Sequence, residues 1–359
     1  MYNINSSPTV SNCVFINNIA DVAGGGMFNR GIFNKSSSPI ISNCTFTGNT
    51  AGGGGGMCNH LSSPTITNSI FTGNTVTGGG GGDGYAKFGG GMNNRCSSPT
   101  LINCLFSGNM AYFGGGLSGN YSSVNLKGCT FASNSASKSN SLFSTGVGGG
   151  VYLYSDSDYL STISDCQFHN NTAEHDGAGV YLISRSDNSV SISQCRFSGN
   201  KAERDGGGIH IGSFPTSIGA FPLDIKECIF SRNTASRGGG MYISKLKSPQ
   251  TISGCIFNGN TALDSFGSAI DAGYSNIRLE GCFFCLNEPE MHVISDRFYA
   301  DEECNMQFCP PPSLVSDKIA RIPGDIDGSG TVDMDDYAII ADPMRALMIL
   351  AENWLKVVE

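Results

Sequence analysis

A six-residue string returns ten times along this chain, and it limits the possible folds more than any other feature. Cys-x-Phe-x-x-Asn occupies residues 13–18, 44–49, 104–109, 129–134, 166–171, 195–200, 228–233, 255–260 and 282–287, and 69–74 repeats it with Ser69 in place of Cys. Successive copies lie 25 to 37 residues apart. Most are followed by three glycines and one apolar residue, as at 24–26 before Met27, 54–56 before Met57 and 206–208 before Ile209. Two steps are degenerate, Gly177-Ala178-Gly179 before Val180 and Gly267-Ser268-Ala269 before Ile270. Ser-Pro-Thr-Ile or a variant precedes many copies, as at Ser63-Pro64-Thr65-Ile66.

Each repeat thus carries three short apolar anchors separated by turn residues. Cys and Phe, two apart, point to the same side of one strand. Ile66-like residues mark a second strand and Met57-like residues a third. Three such short strands cannot bury an apolar face alone, so successive repeats must stack. Glycine permits positive-φ turns between strands, and the repeated Asn suits the same role while hydrogen-bonding its neighbours. Length variation falls in loops such as 77–87 and 138–147, where a solenoid tolerates insertion.

The pattern resembles the right-handed parallel β-helix repeat families. It is especially close to the polymorphic outer-membrane protein repeat, known by Phe-x-x-Asn and Gly-Gly-Ala-Ile-like steps. The resemblance covers roughly residues 1–287. It implies an all-β, right-handed parallel β-helix of about ten coils, expected over 1–295. β-Helices host lyases, hydrolases, adhesins and structural fibres alike, so the fold alone does not decide an activity.

Nine of the 14 cysteines hold one repeat position. Metal binding would call for Cys-x-x-Cys pairs or interleaved His. Coils in register present parallel Cβ vectors that do not converge into disulfides. A ladder of small buried thiols is the expectation, and Ser69 fits it as a matter of size. Cys285, Cys304 and Cys309 are candidates for a capping disulfide. Cys58 and Cys96 are read as loop residues.

Acids gather in the middle repeats. Glu174-His175-Asp176-Gly177 and Glu203-Arg204-Asp205-Gly206 align, which would place Glu174 over Glu203 and Asp176 over Asp205 one coil apart. A strand spacing of about 4.8 Å approaches the roughly 5 Å between the carboxyls of a retaining glycosidase. The same oxygens could hold calcium. His175 would add a proton carrier and Arg204 a clamp for substrate charge. The plainer reading is solvated turn residues, with Arg204 relieving repulsion among acids. Asp156, Asp158 and Asp187 lie in neighbouring loops.

After Asn287 the repeat fades, and 296–322 reads as cap and linker. The segment 323–359 holds eight acids against Arg345 and Lys356, a large share of the chain's net charge of −9. Within it, Asp325, Asp327, Ser329, the Thr331 carbonyl, Asp333 and Asp336 fall at positions 1, 3, 5, 7, 9 and 12 of an EF-hand loop, with Gly330 at the sixth. With the following Tyr337-Ala338-Ile339-Ile340, the loop resembles the first half of a dockerin type I module. That resemblance implies a calcium cofactor, a small α-helical tail and a cohesin-like or other surface-attachment partner. The second Asp-x-Asp loop of a full dockerin is missing.

Nothing in the chain neutralises a row of phosphates, so nucleic acid is not an expected partner. No apolar run approaches the roughly 20 residues of a membrane helix. Met1-Tyr2-Asn3 lines up with Met27-Phe28-Asn29 and Met57-Cys58-Asn59, so the chain reads as starting inside a repeat, with further coils and a signal peptide expected upstream. The expected function is adhesion or carbohydrate binding at the cell surface or in secreted form. The rival is a polysaccharide lyase or glycoside hydrolase working along one face.

Overall fold

The structure, a computed structural model, describes residues 1–300 apart from 33–36, 79–85, 138–145, 156–159, 185–189, 214–222, 245, 247–249, 274, 289–292 and 295–296. The calcium-loop residues Asp325, Asp327, Ser329, Thr331, Asp333 and Asp336 lie outside that set, as do Cys304, Cys309, Asp156, Asp158, Asp187 and the expected helical tail. The described residues contain strands and no α-helix.

They form an all-β parallel solenoid whose four sheets hold 11, 11, 10 and 9 strands. One turn runs through Met57–His60, Thr65–Thr67, Ile70–Thr72 and Thr75–Val76, each of two to four residues. The next turn repeats it in register: Met57 beside Met92, Ile66 beside Leu101, Phe71 beside Phe106 and Thr75 beside Met110. The three-strand reading of a repeat is therefore corrected to four. The fourth strand is too short to show alternation, and its buried residue is usually a small alanine, such as Ala51 or Ala111. Periodicity has almost nothing to register there.

The repeated residues form rows along the axis. Phe46, Phe71, Phe106, Phe131, Phe168, Phe197, Phe230, Phe257 and Phe284 are fully buried. Their rings stack with centroids 4.6 to 5.0 Å apart and planes within 8° of parallel. Strand spacing dictates that distance. Cys44, Cys104, Cys129, Cys166, Cys195, Cys228, Cys255 and Cys282 are buried and free, with Ser69 buried in the same row. Cys285 is in a disulfide. Cys58 is not in a loop: it lies on the strand Met57–His60 and is fully buried against Ala23 and Phe28.

The repeated Asn has a different job from the one its type suggests. It does not make the turn. The residue before it does, with positive φ at Gly48, Gly73, Asn170 and Arg232 among others. The Asn side chain turns inward and builds a ladder. Asn171 is typical: its Oδ1 accepts from the backbone N and the Nδ2 of Asn134, each at 3.0 Å, and its Nδ2 donates to Asn200 Oδ1 at 2.9 Å and to the Phe131 carbonyl at 2.8 Å. All four hydrogen-bonding positions of the amide are used inside a dry core, where an unpaired one would be costly.

Candidate functional site

Between the fourth and first sheets the chain passes through the glycine step. The residue just before that step sits over the outer face of the first sheet. In the earlier turns this column is apolar: Phe88 bridges to Phe113, and Phe113 to Val147. The first two rings pack on Tyr152, with centroids 5.9 and 5.4 Å from it. In the middle turns the column changes character and becomes Asp176, Asp205 and Arg237.

Backbone register brings the expected residues together. Ala173 pairs with Ala202, and Thr172 with Lys201. Beyond them the Glu203 N–H donates to the Ala173 carbonyl at 3.1 Å and the Arg204 N–H to the His175 carbonyl at 2.9 Å. Asp205 N–H donates to Asp176 Oδ1 at 3.2 Å. Glu174 therefore lies over Glu203, and His175 over Arg204. Glu174 is half-buried and Glu203 exposed, so the glutamates form a rim. The buried pair is Asp176 and Asp205, 2% and 1% exposed.

Both carboxylates are held by guanidinium forks. Arg204 donates through Nε to Asp176 Oδ1 at 3.0 Å and through Nη2 to Oδ2 at 2.9 Å. Arg237 does the same for Asp205, at 2.8 and 2.7 Å. Arg204 Nε also lies 3.3 Å from Asp205 Oδ2, so it spans the two acids. His175 Nδ1 lies 2.9 Å from Asp176 Oδ2. Burial pushes the Asp176 carboxyl up, but His175, His210 and Arg204 outweigh it and hold its pKa down at about 2. The hydrogen bonds to Asp205 push the Arg237 guanidinium further up.

A third buried group completes the cluster. His210, on the strand Ile209–Ser213, is 6% exposed. Its ring is sandwiched between Tyr181 and Tyr242, with centroids at 4.8 and 4.9 Å. Its Nδ1 lies 3.9 Å from Asp176 Oδ2 and has no hydrogen-bond partner. Burial lowers the His210 pKa, an effect only partly offset by Asp176 and Asp205. One ligand atom each from Asp176, Asp205 and His210 lie within 4.8 Å of one another, the single such group among the described residues.

The buried pair Asp176 and Asp205 is poorly suited to act as an acid–base couple. A retaining or inverting pair needs one carboxyl able to carry a proton near neutral pH. Asp176 is held strongly ionised, and both buried acids are committed to arginine. Two members of the cluster, Arg237 and His210, were not among the residues singled out in the sequence. Arg237 was legible in principle, because it precedes Gly238 as Asp205 precedes Gly206. His210 was not, because an outward strand position becomes buried only once the glycine-step column covers it.

A family model described as a right handed beta helix region matches residues 84–220. That match and the stacked parallel sheets together support a right-handed parallel β-helix repeat protein. No curated protein and no solved structure matches the chain. No helix among the described residues is long and apolar enough to cross a membrane.

Proposed function

We propose that the protein is a secreted or cell-surface binding protein that holds polysaccharide along the edge formed by Glu174, Glu203, Arg204 and Arg237. One observation carries the reading: two buried carboxylates anchor two guanidinium groups whose side chains remain 52% and 38% exposed. A guanidinium clamped in this way has already lost its rotamer freedom, so binding to it costs less entropy. Rigid donors beside the rim carboxylates suit sugar hydroxyls, which both donate and accept. The parallel stack repeats such positions about every 4.8 Å, which favours an extended polymer over a compact ligand. The β-helix fold is compatible with surface adhesins and with proteins acting on carbohydrate.

A panel of plant, algal and bacterial polysaccharides, scored for retention and for new reducing ends, tests this reading. Retention without new reducing ends is expected. Arg204→Ala and Glu203→Gln should each weaken retention about tenfold, in line with about 1–2 kcal/mol for a lost charge-assisted hydrogen bond, without loss of the β spectrum. Chain cleavage would support the lyase or hydrolase alternative, and two silent substitutions would move binding off this edge.

In this reading the tail is the tether. Asp325, Asp327, Asp333 and Asp336 put four carboxylates into one loop whose mutual repulsion calcium would relieve. Trp354 is the only tryptophan in the chain, so its fluorescence reports on the tail alone. Calcium should shift its emission to the blue, and chelator should reverse the shift. Asp325→Ala with Asp327→Ala should abolish the response. A signal indifferent to calcium would remove the tether from the proposal.

A further inference from the structure

We infer that the buried end of the mid-solenoid cluster is a binding site for a divalent transition-metal ion of the zinc type, with Asp176, Asp205 and His210 Nδ1 as ligands and His175 as the fourth.

The observation that points to a ligand is the orphaned nitrogen of His210. A buried polar atom without a partner is costly, and proteins rarely leave one without a use. His210 Nδ1 is such an atom, and it lies 3.9 Å from Asp176 Oδ2. The flanking Tyr181 and Tyr242 rings fix the imidazole plane, so the nitrogen has no freedom to seek water elsewhere.

The spacing is close to what an ion needs. Zinc bonds of about 2.0–2.2 Å in tetrahedral array put ligand atoms roughly 3.3 Å apart. The three ligand atoms already lie within 4.8 Å of one another, and His175 Nδ1 is 2.9 Å from Asp176 Oδ2. His175 lies outside that close group, so its side chain must turn inward as the carboxylates rotate to complete the set. Two imidazoles and two carboxylates select a borderline metal rather than calcium, which takes six to eight oxygens.

The arginines divide into two roles. Arg237 grips both oxygens of Asp205 with its fork, and a carboxylate carries about four acceptor sites. It can stay in place and orient the ligating carboxylate, as outer hydrogen-bond partners commonly do. Arg204 spans both acids, is half-exposed, and occupies the position where added positive charge is repelled. It is the group that withdraws to solvent when the ion enters, so the ion-bound state keeps only the Arg237 clamp along the edge. Arg204 is therefore a competitor of the metal, a role that a purely structural ion pair would not give it.

Cobalt(II) is the probe, added to the full chain in excess calcium so that the acidic tail does not compete. One equivalent should bind and give the visible absorption of four-coordinate cobalt, without the near-ultraviolet thiolate band that the cysteines would produce. His210→Phe, which keeps an aromatic ring between the two tyrosines, should abolish the signal, and Asp205→Asn should weaken it at least tenfold. Should either variant fail to fold, Arg204→Ala gives an independent reading: it should tighten cobalt binding. His169→Phe, on the separate strand Gln167–His169, should change nothing. Absence of the cobalt signal, a thiolate band, or unchanged binding in folded His210→Phe would overturn the assignment, as would weaker binding in Arg204→Ala. None of these readouts depends on the carbohydrate proposal.

Discussion

Replacing Asn171 by alanine lowers the stability of the solenoid by about 4 kcal/mol, because it leaves several buried polar groups unpaired at a cost of about 1–3 kcal/mol each. The backbone N–H of Asn134 loses its acceptor, one amide hydrogen of Asn134 loses its own, and the Phe131 carbonyl loses a donor. Asn171 and Asn134 are both fully buried, so no water compensates. The vacated volume beside the stacked phenylalanines adds a cavity term. Thr172→Ala, one residue along on the exposed side, is the control and should shift stability by less than about 0.5 kcal/mol. Urea unfolding followed by far-ultraviolet dichroism gives the comparison. Hydrogen exchange should place the early opening in the turns containing Asn134, Asn171 and Asn200, since a solenoid couples mainly nearest neighbours. If the two variants unfold at the same urea concentration, the amide ladder is not what holds the turns in register.

Much of this architecture is written into the chain, because a solenoid repeats each structural demand once per turn. The Phe and Cys rows were readable from spacing alone, since two residues apart on a strand means one face. The glycine step shows where such reading stops. Its first glycine has positive φ in every copy, from Gly24 at 67° to Gly267 at 47°. At Gly177 a Cβ would also meet the Val180 carbonyl oxygen at 2.7 Å. The middle and third positions are crowded as well, with a Cβ at Gly149 only 2.4 Å from the Thr172 carbonyl oxygen. Yet Ala178 occupies the middle position of the next turn, and Ala269 a third position, both fully buried. The crowding at those two positions therefore admits a methyl group, whereas the sign of φ is not negotiable. A string of three glycines does not by itself reveal which is obligatory; the two degenerate steps, which share only their first glycine, do. The candidate site was half legible for a similar reason. Register placed Asp176 over Asp205, but charge alone did not tell that these acids are buried while Glu174 and Glu203 form the rim. That depended on the column that also holds Phe88 and Phe113, whose direction is set by the turn.

Acid should weaken the protein in a way that traces to Asp176. Its carboxyl is held at about 2 in the folded chain, against an ordinary value of about 3.9 when unfolded. Above about pH 4 the carboxylate is ionised in both states and its stabilising effect is complete. As pH falls, the unfolded chain takes up the proton first, so stability drains away between about pH 4 and pH 2. The shift corresponds to about 2 kcal/mol, with the half-exposed Arg204 setting it below the value for a fully dry pair. His210 contributes an earlier loss of the same sign. Its folded-state pKa is lowered by burial, so the unfolded state binds the extra proton as pH falls below about 6.5. Asp176→Asn removes the lower step: it should be less stable than the parent at pH 7, and the two should converge as pH approaches 2. Urea denaturation at a series of pH values, in chelator so that no ion contributes, gives both curves. Parallel curves across that range would mean that Asp176 is not locked as an anion by Arg204 and His175. The guanidinium edge would then lose the preorganisation on which the carbohydrate reading depends, and the charged column would be an ordinary solvated turn.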